Sequence, residues 1–208
     1  MRYRWDTAYT RKLFHFLIFT TATATHVLGG WEAVNALAMG VVFWVLYAVL
    51  IGNGFAAYEA MARERDDPHR TRFILIPLAT TALGGMVSNI AFGEFALVGY
   101  LVTGWGDAVG EPVGRRFGRH RYRVASLFGV PAERSLEGSF TVGVASLAAA
   151  WLALSLGLQF PGVTALTVAM AVALLTAVVE AVSHHGLDNF TTMVAAAGVS
   201  WFMVGGVG

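Results

Sequence analysis

The sequence predicts an all-α, polytopic integral membrane protein of about seven transmembrane helices with a cytoplasmic N-terminus. Three observations carry that reading. Of 208 residues, 56% are hydrophobic and only 13% charged, and the mean hydropathy is +0.62. Several apolar runs reach the roughly 20 residues that a helix needs to cross a hydrocarbon core about 30 Å thick. The charges are segregated as well, since every Lys and Arg falls within 2–12, 63–72 or 115–134. No stretch remains for a soluble domain, so residues 1–208 are expected to form one domain of packed spans. Cysteine is absent, which excludes disulfides, thiolate metal sites and cysteine nucleophiles.

The first span, 13–29, starts behind the basic lip Arg11-Lys12, and the second covers 34–57. Spans three and four, 73–92 and 94–112, are joined only by Gly93 and Glu94, so one bent hairpin is the competing reading. The fifth, sixth and seventh follow at 138–157, 163–182 and 189–207. The connections 29–33, 92–95 and 157–163 carry no basic residue. The positive-inside rule therefore places the three basic segments in the cytoplasm and the C-terminus outside. A secretory signal peptide is the alternative for the N-terminus, with Ala22-Thr23-Ala24 as its cleavage site, but cleavage would discard Arg11, Lys12 and His15. The 24 glycines point to close backbone packing between membrane helices.

Residues 104–123 concentrate the chemistry. A glycine-rich run holding Asp107 and Glu111 leads into arginines at 115, 116, 119, 121 and 123. Charged groups where an apolar span meets its polar flank are costly unless they bind something charged, so they mark a candidate site. Gly106, Gly110, Gly114 and Gly118 recur every fourth residue, beside a stripe of Asp107, Glu111, Arg115 and Arg119. On a helix these are adjacent faces. The smooth stripe suits another backbone or a nucleotide phosphate, and Pro112 is expected to break or kink the helix.

Three further polar patches belong to the same predicted cytoplasmic side. Arg11, Lys12 and His15 sit at the lip of the first span, where snorkelling anchors are the plainer reading. The patch from Arg134 through Ser135, Glu137, Gly138 and Ser139 opens the fifth span, where Ser135 suits an N-cap. Glu180, His184, His185, Asp188 and Asn189 close the set, and Glu180 lies at the end of an apolar helix that gives it no capping role. Four patches from four parts of the chain converge on one face, whereas the other face has only Glu32 and Glu94. Acids on separate helices (Asp107, Glu111, Glu137, Glu180, Asp188) suit one or two Mg²⁺ ions, and arginines clamp phosphoryl oxygens. That is equipment for phosphoryl transfer. A Walker-type loop is excluded, because the sole lysine, Lys12, follows no glycine-rich turn.

These residues resemble a known family, the CTP-dependent polyprenol kinases, which includes dolichol, phytol and farnesol kinases and a fungal-type diacylglycerol kinase. Arg11-Lys12-x-x-His15 is similar to its N-terminal motif, and Gly106-Asp107 through Gly114-Arg115-Arg116-Phe117-Gly118 to its central signature. Ser135-x-Glu137-Gly138-Ser139 is similar to the third motif, and Glu180 with Asp188-Asn189 to the last. The chain departs from the family at Glu111, where Asp is common, at Pro112, and at Thr191-Thr192-Met193, where a proline is expected. The resemblance implies transfer of the terminal phosphate of CTP to the hydroxyl of a membrane isoprenoid alcohol or diacylglycerol at the cytoplasmic membrane. Asp107, Glu111, Glu137, Glu180 and Asp188 would bind Mg²⁺. Arg11, Lys12, Gly106, Gly114, Arg115, Arg116, Gly118, Ser135, Gly138, Ser139 and Asn189 would bind nucleotide, and His15 or an acid would orient the hydroxyl. The expected partners are CTP, a lipid alcohol and the bilayer, with no nucleic acid and with a homo-oligomer left open. A CTP-dependent phosphatidate cytidylyltransferase and a small membrane transporter are the alternatives.

Overall fold

The computed structural model describes residues 7–62, 68–125 and 132–205. Arg2, Arg4, Arg63, Arg65 and the end of the seventh expected span lie outside that set. The element order is α1 (Thr7–Ile51), α2 (Ala56–Met61), α3 (Arg72–Phe92), a 3₁₀ turn (Gly93–Phe95), α4 (Ala96–Phe117), β1 (Arg121–Val124), β2 (Ala132–Ser135), α5 (Leu136–Leu152), α6 (Gly162–Val182) and α7 (Asp188–Ser200). One-turn π segments extend α5 to Gly157 and α7 to Gly205. The expected all-α class is found, with one small antiparallel hairpin added.

Helices occupy all seven apolar stretches. Among the described residues, four segments are long and apolar enough to cross a membrane: Tyr9–Ile51, Arg72–Phe117, Leu136–Gly157 and Gly162–Val182. The first two, at 43 and 46 residues, are each about twice the ~20 residues that one pass requires. A glycine divides each of them. Gly30 (φ 67°, ψ −167°) interrupts α1, and Gly93 (φ 55°) separates α3 from α4; both adopt backbone that L side chains resist. The limbs of α1 fold back on each other, so that Phe14 and Ile18 line the same small cleft as Val41 and Val45.

Two expectations need correction. The second span ends at Ile51 rather than 57, because Gly52 (φ 75°) and Gly54 (φ 90°) turn the chain into the short α2, which buries Tyr58. Glu59 of α2 accepts the Gly54 amide at 3.0 Å and the Arg70 guanidinium at 2.6 Å. These two bonds, the Gly54 amide first, hold its carboxyl below the usual range. The helix is also unbroken at Pro112, since α4 continues through it to Phe117. Proline removes one backbone bond, but α5 packs against α4 on both sides of it, at Gly110 and Gly114. Neighbouring helices of this kind let membrane proteins keep proline inside a helix.

Packing partners fix the directions. Lys12 meets Glu111 at one end of the pair formed by the first α1 limb and α4, and Trp31 meets Glu94 at the other, so they run antiparallel. Gly106 faces Val142 and Gly114 faces Gly138, so α4 and α5 are antiparallel too. Gly84 lies on Phe190 and Met193 while Phe92 stacks near Trp201, which makes α3 and α7 parallel. The starts of α1, α5 and α7 and the ends of α4 and α6 therefore share one end of the bundle. The core centres on Val98, Leu101 and Val102 of α4, packed against Ala149, Leu154, Val168, Val172 and Ala196. Outside, Leu28, Leu50, Ile90, Leu174 and Phe202 are 72–88% exposed. An apolar exterior of that extent suits lipid rather than water.

Candidate active site

A cavity of about 570 Å³ opens at that common end. One wall is α1 against α4. Asp107 and Glu111, one helical turn apart, point to the same side, and Lys12 lies between them. Its Nζ bonds Asp107 Oδ1 and sits 2.9 Å from Glu111 Oε2. The second oxygen of Asp107 is 2.6 Å from His15 Nδ1. A carboxylate there fixes the imidazole with its proton on Nδ1, leaving Nε2 as an acceptor.

The other wall is the hairpin against α6 and α7. Tyr122 and Arg134 are directly paired across β1 and β2, so their side chains share a face. Arg134 Nε lies 3.1 Å from Glu180 Oε1, and Nη2 lies 3.0 Å from Asp188 Oδ2. Ser139 donates to Glu180 Oε2 at 3.1 Å, so the Tyr122 hydroxyl, 2.7 Å away, donates to Ser139. The hairpin is tied down by backbone bonds from His185 to Ala125 and from Leu136 to His120. Asn189 donates to Thr81 of α3 at 2.9 Å.

Of the seventeen residues to which the resemblance gives binding or catalytic roles, fourteen line this cavity: Arg11, Lys12, His15, Gly106, Asp107, Glu111, Gly114, Arg115, Ser135, Gly138, Ser139, Glu180, Asp188 and Asn189. Three do not. Glu137 turns away and meets His120 through its ring Nδ1 at 2.8 Å and its backbone N–H at 3.3 Å. Arg116 stands over the Phe117 ring, and Gly118 packs on Ser135. The glycine stripe meets the start of α5: a Cβ on Gly114 would lie 2.9 Å from Ser135 Oγ, and one on Gly138 3.0 Å from the Gly110 carbonyl. The stripe thus lets α4 approach the start of α5 closely, while Gly106, Gly110 and Gly114 also line the cavity. Ser135 caps α5 as expected, accepting from the Gly138 amide at 3.1 Å.

Among the described residues, no three His, Asp or Glu side chains converge as a ready-made metal cage. The donor chemistry nevertheless fits Mg²⁺, which is commonly held by one or two carboxylates together with waters and substrate phosphate oxygens. Asp107 with Glu111, and Glu180 with Asp188, are two such pairs, each partnered by one cation. The sequence did not single out Tyr122 or Thr81. The alternation in Arg121-Tyr122-Arg123-Val124, exposed then half-buried, was the available signal for the hairpin.

A second, apolar cleft adjoins the cavity between α1 and α3. It is lined by Phe14, Ile18, Val45, Ile74 and Leu78, and it shares Arg11, His15, Phe73 and Pro77 with the polar cavity. His15 thus stands where the polar and apolar spaces join.

No family model and no solved structure matches the chain. A phytol kinase of Synechocystis sp. is 39% identical over 133 residues, covering 64% of this chain and 54% of that protein. The chain spans about half the length of this curated relative. This match supports the resemblance to the polyprenol and phytol kinases that the four motifs carry.

Proposed function

We propose that this chain is a lipid-alcohol kinase that transfers the terminal phosphate of CTP, with Mg²⁺, to the hydroxyl of a membrane isoprenoid alcohol. The carrying observation is the junction at His15, between a cavity walled by paired carboxylates and cations and a cleft walled by apolar side chains. A triphosphate suits the first space and a hydrocarbon chain the second.

In this reading the alcohol keeps its chain in the cleft and brings its hydroxyl to His15. The imidazole, held by Asp107 through Nδ1, takes the hydroxyl proton on Nε2, as a general base oriented by a carboxylate does. The alcohol oxygen bonds to the terminal phosphorus, the bond to the bridging oxygen breaks, and CDP leaves. Asp107, Glu111, Glu180 and Asp188 are the residues that would hold Mg²⁺, which neutralises charge on the phosphate oxygens when bound. Lys12 and Arg115 would contact the phosphates. The preference for cytidine rests on the family resemblance. A transporter with a midplane ion site fits less well, because the ion pairs of the site gather at one end of the bundle.

The test is to incubate the purified chain with labelled CTP or ATP and phytol, farnesol, a polyprenol or diacylglycerol, measuring CDP, ADP and pyrophosphate separately. Lipid monophosphate with CDP is expected. Pyrophosphate with a CDP-lipid would establish the cytidylyltransferase instead, and absence of turnover with every acceptor would sink the kinase reading.

A further inference from the structure

We propose that α2 selects the acceptor: Met61 narrows the mouth of the apolar cleft to the width of one hydrocarbon chain, so that a single-chain alcohol enters and a diacylglycerol does not. Thr10 Oγ1 donates to the Ala60 carbonyl at 2.9 Å, which sets the end of α2 beside the start of α1. Arg11 and Met61 are the next residues on the two strands of chain, and both line the cleft. Met61 therefore stands at the end of the cleft that meets the polar cavity, through Arg11 and His15. That the occupant is an alcohol rests on the kinase reading above; the narrowness of the mouth does not.

A six-residue helix has little stability of its own, and α2 is fixed from outside. Arg70, just ahead of α3, donates through Nη2 to Glu59 at 2.6 Å and to the Ala62 carbonyl at 2.9 Å, and through Nη1 to Asn53 Oδ1 at 3.2 Å. Its guanidinium lies 5.5 Å from the centre of the Tyr58 ring, and the Tyr58 hydroxyl is 2.9 Å from Thr71 Oγ1. The bonds to Glu59 and Ala62 fall on either side of Met61, so its backbone leaves the cleft only by breaking charge-assisted bonds. Val45 and Ile74, which face it, are buried in the cluster that also holds Tyr58 and Ala62, and close-packed walls yield little. The cleft holds about 80 Å³ against about 570 Å³ for the polar cavity, which leaves room for one slender chain. In a diacylglycerol the second ester arm leaves the carbon next to the one bearing the hydroxyl, so both arms would pass Met61 together. In a single-chain isoprenoid alcohol only a methyl group branches there.

The experiment compares phytol and dioleoylglycerol, as acceptors and as ligands that raise the thermal midpoint, on the detergent-purified chain in wild type, Met61→Ala, Met61→Leu and Arg70→Gln. Wild type is expected to phosphorylate phytol and to be stabilised by phytol alone. Met61→Ala should raise kcat/KM for dioleoylglycerol relative to phytol by about tenfold or more, the scale of a methylene or two in an apolar pocket, and leave KM for CTP unchanged. Met61→Leu refills the space and should keep the wild-type preference. Arg70 lines neither space, yet Arg70→Gln should shift the preference in the same direction by releasing α2, whereas a merely structural role would lower both acceptors alike. Should Met61→Ala fail to fold, Met61→Val takes its place. An unchanged preference in the folded truncation, or a wild type that takes dioleoylglycerol as readily as phytol, overturns the selection. Stabilisation by phytol alone that Met61→Ala extends to dioleoylglycerol, in a chain that phosphorylates neither, would keep the narrow mouth and discard the kinase reading. Equal turnover of both lipids by wild type would do the reverse, and neither turnover nor selective stabilisation would sink both.

Discussion

Asp107 uses both carboxylate oxygens, one on Lys12 and one on His15. Asp107 is half-buried, and a carboxylate withdrawn from water is tolerated only when it is paired and hydrogen-bonded, so removing it leaves the partly buried Lys12 short of a partner. Asp107→Ala would therefore confuse stability with function, whereas Asp107→Asn keeps the shape and one acceptor oxygen for Lys12 or His15. Lys12 also retains Glu111 at 2.9 Å. We expect Asp107→Asn to fold normally and to lose turnover by on the order of a hundredfold to a thousandfold, the scale for one transition-state contact. Near-native turnover at saturating Mg²⁺ in the purified variant would remove Asp107 from the chemistry. This residue was legible in the sequence because an acid inside an apolar run has no partner on its own helix. Its partners were legible only as a separate basic lip, since nothing local says that residues 12 and 107 meet. Glu137 was legible by motif position alone, and its meeting with the His120 ring and amide at the rim was not, because nothing local says that residues 120 and 137 come together.

At the scale of elements, the arrangement depends on how closely α4 approaches its neighbours. Gly99 lies against α7, where an added Cβ would sit 2.6 Å from the Met193 carbonyl oxygen. Gly110 lies against α5, where an added Cβ would collide with the Val142 side chain instead. The two glycines should therefore respond differently to the same substitution. Overpacking of this kind typically costs 1–3 kcal/mol. Gly99→Ala and Gly110→Ala are both expected to lower the thermal midpoint in detergent. Adding Val142→Ala should restore much of the loss for Gly110→Ala and none for Gly99→Ala, since backbone cannot be trimmed. Equal rescue of both, or of neither, would contradict the packing described. Apolar runs made the long helices legible. Their joints were less so, because a single positive-φ glycine at position 30 does the work of an expected five-residue loop, and Gly52 and Gly54 stop a helix inside a hydropathic run. The hairpin was hidden by its arginines, which read as a cationic loop until tertiary partners for Tyr122 and Arg134 were in place.

For the whole molecule, the separation of charge along the bundle links topology to function. The cavity, the hairpin and the described residues of the basic stretches occupy one end, while Glu94 meets His26 and Trp31 at the other, at 2.9 Å and 2.7 Å. If positive charge stays on the cytoplasmic side, the site opens toward cytoplasmic nucleotide and α5–α6 turns outside. The chain contains no cysteine, so one introduced thiol reports one position without background. Arg119→Cys places it between α4 and the hairpin, at an exposed residue. Gly162→Cys places it at the opposite end, where an added Cβ meets nothing within 4 Å. With a membrane-impermeant maleimide on intact cells, we expect Gly162→Cys to react at once and Arg119→Cys to react only after the membrane is opened. The reverse pattern would invert the orientation and put the site outside. Reaction of both thiols in intact cells would mean that the segments between them do not carry the chain across the bilayer.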